Sequence, residues 1–303
     1  MSRKLLLAFL ALLALPGAPA LADVTDTPVI TKDMKARPVL WHIKTGRAQM
    51  TLFGSIHVLP ATLHWVTPDI LHALGRTNIF VFEAPTDRTS RTTLDTLMAA
   101  RGALPEGQSL RAMLPPEIQA DYDTVLAAAH LQPALMDRKQ PWLASMELNI
   151  AASMNRSFYP DAGVDYVMMS WANERGLKVR YLESVEEQFN MLAPPDGDMK
   201  MGEFQASLKR FQQDRTFRLT PLVAAWSKGD VKTIGEIMDS DFAPYPDARK
   251  RLLTDRNRNW AEQIDAMLKE GGRYFVTVGA AHLAGNDGVP ALLRAKGYTV
   301  EGP

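Results

Sequence analysis

Two stretches share one pattern: Gln49-Met-Thr-Leu-Phe-Gly-Ser-Ile-His57 and Arg273-Tyr-Phe-Val-Thr-Val-Gly-Ala-Ala-His282. In each, a short run of apolar and β-branched residues reads as a buried strand that stops at a glycine, Gly54 or Gly279, and a histidine follows three residues later. Glycine lets the backbone turn sharply, so each imidazole is expected to project from the end of its strand. Two histidines at equivalent strand ends point to one shared site.

The surroundings of both motifs read alike. Pro38 to Ile43 and Gln49 to Phe53 form a hairpin that turns around Lys44-Thr-Gly46. After His57, Thr67-Pro68-Asp69 starts a helix with Ile70, Leu71 and Leu74 on its apolar face, and Asn78 to Glu83 reads as a strand. After His282 come the Gly285-Asn-Asp-Gly288 turn, a helix through Pro290 to Leu293 and a strand Tyr298 to Glu301. The fold class is therefore α/β, of mixed α+β character. Its central sheet is built from two pseudo-repeated strand–glycine-histidine turn–helix–strand halves, with a mostly helical insert over about 88–271. Strands alternating with helices argue for parallel pairing, with ligands at the carboxyl ends of the strands. That reasoning puts the strand of Glu83 beside the first motif strand. Within the insert, Leu177 to Leu182 is a further strand, and two apolar stripes mark helix faces: Phe204, Leu208 and Phe211, then Leu253, Trp260, Ile264 and Met267.

The chain of 303 residues opens with a basic Met1-Ser-Arg-Lys, an apolar run from Leu5 to Leu15 and the small-residue pattern Ala20-Leu-Ala22. This is the pattern of a secretory signal peptide over 1–22, followed by one domain over 23–303. The run is shorter than the ~20 residues that span a bilayer, so no integral membrane association is expected. With no cysteine there is no disulfide, thiolate ligand or lipid-modified cysteine. A periplasmic or secreted location follows. Lysine plus arginine and aspartate plus glutamate balance at 34 each, which gives no field to attract nucleic acid. Serine-hydrolase elbows, Walker loops, dinucleotide fingerprints and zincin motifs do not occur.

Neutral imidazoles ligate first-row divalent metals, so His57 and His282 either share an ion or hydrogen-bond within their own loops. Glu83, at a strand terminus, is a third ligand, a general base for an activated water, or an exposed charge. Two histidines and one carboxylate leave positions open for water and substrate, as catalytic sites do. Asn257, four residues after Leu253 and three before Trp260, falls on the inward face of its helix, and the pair Arg256 and Asn257 would orient a metal ligand, stabilise a developing oxyanion, or make a polar helix-packing contact. Glu183 ends the middle strand at the edge shared with Glu83. Asp165, after Gly163, stands at a helix start, where a carboxylate complements the helix dipole. His42, His64, His72 and His130 lack the turn glycine and read as structural or surface groups. His64 is near enough in sequence to His57 to reach a substrate.

Taken together, Phe53 to Pro60, Val81-Phe-Glu83, Gly163-Val-Asp165, Tyr181 to Gln188, Asp255-Arg-Asn257 and Val278 to Gly285 resemble the TraB/PrgY/GumN family over about residues 35–301. The resemblance implies a fold related to ChaN-like and erythromycin-esterase-like proteins. The family's Tiki proteins are described as metal-dependent peptidases that use the two glycine-histidine motifs and a glutamate. Carried over, these positions are His57, His282 and Glu83, with manganese or cobalt favoured over zinc. The expected activity is that of an exported metal-dependent hydrolase, a peptidase first of all, with a divalent metal held between the two glycine-histidine turns and a peptide or small molecule as substrate. The competing expectation is a periplasmic protein that captures such a ligand without turning it over. A third reading, haem handling by analogy, lacks a dedicated signature here.

Overall fold

The computed structural model describes residues 35–154, 157–193, 201–213, 219–243 and 246–303; the expected leader lies outside them. The chain runs through β1 (Leu40–Lys44), β2 (Ala48–Ser55), β3 (Leu59–Pro60), α1 (Pro68–Gly75) and β4 (Ile79–Phe82). It continues through α2 (Arg88–Gly102), α3 (Pro116–Ala128), α4 (Pro133–Met136), α5 (Pro141–Met154), β5 (Phe158–Tyr159), α6 (Val164–Glu174) and β6 (Lys178–Tyr181). Then come α7 (Val185–Leu192), α8 (Met201–Gln213), α9 (Leu219–Lys228), α10 (Val231–Phe242), α11 (Pro246–Arg249) and α12 (Asp255–Glu270). The chain closes with β7 (Gly272–Gly279), α13 (Val289–Ala295) and β8 (Val300–Glu301).

Six strands form one mixed sheet in the order β6-β4-β7-β2-β1-β8, and β3 pairs with β5 separately. The two motif strands are nearest neighbours: β2 and β7 run parallel in register from Ala48↔Gly272 to Ser55↔Gly279. Only β1 opposes the others, antiparallel to β2 and to β8. One face carries Phe53, Phe80, Phe82 and Phe275 against α1, α6 and α9. The other carries Met50, Leu52, Val81, Val276 and Val278 against Trp260, Ile264 and Met267 of α12 and Leu293 of α13. Strands covered on both faces read as continuous apolar runs, which is why β2 and β7 were recognisable from composition. Phe204 and Leu208 of α8 join Tyr122 and Leu126 of α3 in a separate helical cluster.

Because the chain leaves β2 toward α1 on one face and leaves β7 toward α13 on the other, the two connections diverge at the carboxyl ends of these strands. In open α/β sheets such a divergence marks the preferred ligand position.

Two sequence expectations need correction. The strand of Glu83 lies beside the second motif strand: β4 pairs in parallel with β7 and β6. β2 is flanked by β7 and by its hairpin partner β1, which leaves β4 the far edge of β7. The closing strands of the two halves, expected over Asn78–Glu83 and Tyr298–Glu301, also differ. β8 is confined to Val300–Glu301, and Glu301 is level with His42, itself opposite Thr51, well short of the strand ends.

Close backbone approach fixes the first motif turn. Gly163, at the start of α6 with φ −64° and ψ 151°, has an ordinary conformation. A Cβ there would nevertheless lie 2.0 Å from the carbonyl oxygen of His57, while Val164 N–H donates to Ile56 O at 3.0 Å. Space, not torsion, requires glycine. Gly54 is tight in the same way, a Cβ there falling 3.0 Å from Ala280 Cα of the other motif. Gly163→Ala is expected to cost about 3 kcal/mol or more and to cost more than Gly54→Ala, because its Cβ would overlap backbone at 2.0 Å where that of Gly54 only reaches 3.0 Å. Denaturant unfolding of the two variants checks the order; a neutral Gly163→Ala would refute the close approach.

Candidate active site

His57, in the turn after β2, is fixed through Nδ1, 2.6 Å from Asp165 Oδ2 in the first turn of α6. His282, in the 3-10 turn Ala280–Leu283 after β7, has Nδ1 at 2.6 Å from Asn257 Oδ1. Asn257 Nδ2 in turn donates to Asp287 O at 2.9 Å. A carboxylate and an amide oxygen only accept, so both imidazoles carry a proton on Nδ1, and in its neutral form each presents Nε2 as a lone pair. His57 Nε2 is buried and has no hydrogen-bond partner, and the same holds for the hydroxyls of Ser55 and Thr277 at the ends of the two motif strands.

Glu83 follows β4 and Glu183 follows β6, and Glu183 N–H donates to Glu83 O at 2.8 Å. The Glu83 carboxylate accepts from Gly279 N–H at 2.6 Å and from Arg256 Nη2 at 2.8 Å. Arg256 grips Glu183 with Nε at 2.8 Å and Nη2 at 2.9 Å, the two-pronged geometry that suits a guanidinium to a carboxylate. Its Nη1 donates to Leu252 O at 3.3 Å and stands 3.1 Å from His282 Nε2. A π-helical turn, Lys250–Thr254, precedes α12 and supplies that carbonyl. The Trp260 ring backs the pair, its centroid 4.4 Å from the His282 ring and 4.5 Å from the guanidinium carbon.

Burial tends to neutralise each group, and the neighbours decide the outcome. For His57 burial pulls the pKa down, but the Asp165 carboxylate outweighs it and the pKa is raised. For His282 burial and then Arg256 act together and push it down to about 3. Burial raises Glu83, yet Arg256 beside it leaves the carboxyl below its ordinary value. Glu183 goes up, because burial prevails over its bonds to the same guanidinium.

The structure thus brings His57, Glu83, Glu183, Arg256, Asn257 and His282 to one edge of the sheet, around Gly279. A side chain on Gly279 would begin 3.3 Å from Glu83 Oε1, 3.4 Å from His282 Cδ2 and 3.9 Å from His57 Nε2. The two imidazoles and one carboxylate suit a first-row divalent ion, and both rings are oriented through their second nitrogen, as metal-binding histidines usually are. The residues present fit such an ion, with Arg256 now facing two of the three donors. Among the described residues no three histidine, aspartate or glutamate side chains already stand together as a finished metal cluster.

Sequence reasoning read Asp165 as a helix-start charge. It does occupy the first turn of α6, but its carboxylate is spent on His57, 108 residues away in sequence, which no local pattern signals. Trp260 read as core, and only its spacing of three from Asn257 hinted at the site. His42, His64, His72 and His130 are all exposed.

Metal-free protein should lose stability on acidification through His282. The folded state holds it neutral down to about pH 3, while the unfolded histidine titrates near 6.5. Its contribution is therefore intact above 6.5 and falls by about 1.4 kcal/mol per pH unit below it. Denaturant titrations in the presence of chelator should give His282→Gln a flatter acid limb; equal limbs would mean that His282 is not held neutral.

Comparison with known proteins adds a family to this geometry. Residues 39–302 match the model of the TraB/PrgY/gumN family. The zebrafish (Danio rerio) protein named metalloprotease TIKI2 is 26% identical over 91% of this chain and 62% of its own length. Human (Homo sapiens) metalloprotease TIKI1 is 22% identical over 94% of this chain and 65% of its own. The chain thus spans less than two thirds of these animal relatives. YbaP of Escherichia coli (strain K12), described as uncharacterized, is 24% identical over 82% of this chain and 89% of its own length. No solved structure matches. No helix among the described residues is long and apolar enough to cross a membrane. With its model matched over nearly the whole described chain, the protein belongs to the TraB/PrgY/gumN family.

Proposed function

We propose that the chain is an exported, metal-dependent hydrolase of peptide bonds, acting in the periplasm or outside the cell. The observation that carries this reading is the pair of imidazoles fixed through Nδ1, with the buried Nε2 of His57 left without a partner beside Gly279. His57, His282 and Glu83 would hold the ion, manganese or cobalt being favoured over zinc. When bound, it supplies Lewis acidity toward the scissile carbonyl and the attacking water.

The chain's own residues do the rest. Asp165 retains the Nδ1 proton of His57, so the neutral ring carries its lone pair on Nε2. Asn257 does the same for His282. Glu83 stays ionised through Arg256, and its second oxygen is tied to the Gly279 amide, which sets the carboxylate against the second motif. Glu183 anchors Arg256. Exposure increases from Glu183 and Arg256, at 4% and 8%, to His57 and Asp165, at 12% and 27%, so substrate meets the His57 side first. The names of the animal relatives, which are metalloproteases, point the same way.

His57→Ala and His282→Ala are each expected to lower metal-dependent cleavage of a peptide library by at least ~1,000-fold, with the far-ultraviolet spectrum unchanged. Full activity in either variant would overturn the reading, and retained peptide without product in the wild type would favour a capture protein. Asp165→Asn, which weakens the hold on the His57 tautomer, should reduce metal affinity by about 10- to 100-fold. Titration of the chelator-treated protein with manganese and cobalt measures it, and unchanged affinity would remove Asp165 from the site.

A further inference from the structure

Arg256 stands against the atoms that a divalent ion would need. Its Nη1 lies 3.1 Å from His282 Nε2 and its Nη2 2.8 Å from Glu83 Oε2. A guanidinium only donates, so these lone pairs are engaged by it and are not simultaneously free for a metal. Nor is Arg256 a surface charge that happens to reach inward. Its side chain is 8% exposed, held by Glu183 and Leu252 O and backed by the Trp260 ring.

Counting charge gives the second half of the argument. Glu83 and Glu183 pair with one guanidinium and Asp165 pairs with His57, so with neutral imidazoles, as ligation requires, the three carboxylates leave the cluster two negative charges in excess. That equals the charge of one divalent ion. Two of the three contacts on Glu183 and Glu83 belong to Glu183, which is not among the three ligands proposed above.

We propose that Arg256 is the resident cation of this site and that a divalent ion enters by exchange with it. Arg256 gives up His282 Nε2 and Glu83 Oε2, and Glu183 retains it. The inference rests on the reading of His57, His282 and Glu83 as metal ligands. It explains why those donors do not stand ready-made around one point: without metal, the arginine satisfies buried groups that would otherwise be left unpaired. Glu183 is then a positioning residue whose task is to hold the displaced cation.

Chelator-treated wild type, Arg256→Gln, Arg256→Lys and Glu183→Gln would be titrated calorimetrically with manganese, cobalt and zinc, and their melting temperatures followed with and without each ion. Arg256→Gln, freed of the competing cation, should bind about 10-fold or more tightly than wild type and gain more in melting temperature on adding the ion. Glu183→Gln, lacking the group that retains the displaced arginine, should bind more weakly by a similar factor. Arg256→Lys keeps the charge without the fork and should show a smaller gain than Arg256→Gln, which keeps the test open if the glutamine variant folds only with metal. Equal or weaker binding by both arginine variants, with wild type binding normally, overturns the exchange and leaves the metal reading standing. Absence of binding in every form overturns the metal reading, and the exchange with it.

Discussion

A single buried guanidinium ties this molecule together. Arg256 projects from α12 on one face of the sheet and joins the ends of β4 and β6 through Glu83 and Glu183, all three at or below 8% exposure. Burying charge is costly unless each ion is paired and hydrogen-bonded, and here the fork on Glu183 and the Gly279 amide on Glu83 meet that requirement. Removing one member of such a cluster leaves uncompensated charge inside, worth about 3–5 kcal/mol. The cluster therefore fixes where α12 lies relative to the strand ends, and so where Asn257 and His282 meet.

Glycine supplies the complementary constraint. Gly54 and Gly163 sit where a Cβ would press on Ala280 at 3.0 Å or overlap the His57 carbonyl at 2.0 Å, and a Cβ on Gly279 would crowd Glu83 Oε1 at 3.3 Å. Backbone approaches this close bring the first motif turn, the start of α6 and the second motif turn within reach of one another. Phe53, Phe80 and Phe275 hold the same strands from beneath, with ring centroids 5.9 Å and 5.6 Å apart along the series. Trp226 of α9 adds an indole N–H on Gly54 O at 2.8 Å, so the insert also braces the motif. Fold and site are one set of contacts.

The legible parts of this molecule are those with a local signature. β2 and β7 carry runs that only a doubly covered strand explains, and the repeated glycine-histidine ending marks both turns. Helical spacing placed Asn257 on the inward face of its helix with Trp260, and the structure finds both buried there. Strand order was not legible. Whether β4 lies beside β2 or β7 depends on which edge is free after the hairpin closes, and nothing between His57 and Glu83 encodes that. Partners distant in sequence were equally hidden: Asp165 finds His57 across 108 residues and Arg256 finds Glu183 across 73. A carboxylate at a helix start has a sufficient local explanation, which is why Asp165 read as nothing more.

The two histidines share a motif but not an environment, and the difference follows from what faces each ring. His282 lies buried under Trp260 beside a guanidinium; burial first, and the guanidinium after it, oppose its protonation and keep it neutral. His57 faces a carboxylate at the better exposed end of the cluster, which favours its protonation. A cation of the kind proposed above would thus find the inner imidazole already deprotonated but covered by Arg256, and the outer one without a partner at Nε2 but inclined to hold a proton. Each proposed ligand would carry its own obstacle, a guanidinium in one case and a proton in the other. The duplicated sequence motif accordingly serves two unequal positions, an inner one set by the buried charge cluster and an outer one at the better exposed end beside Asp165.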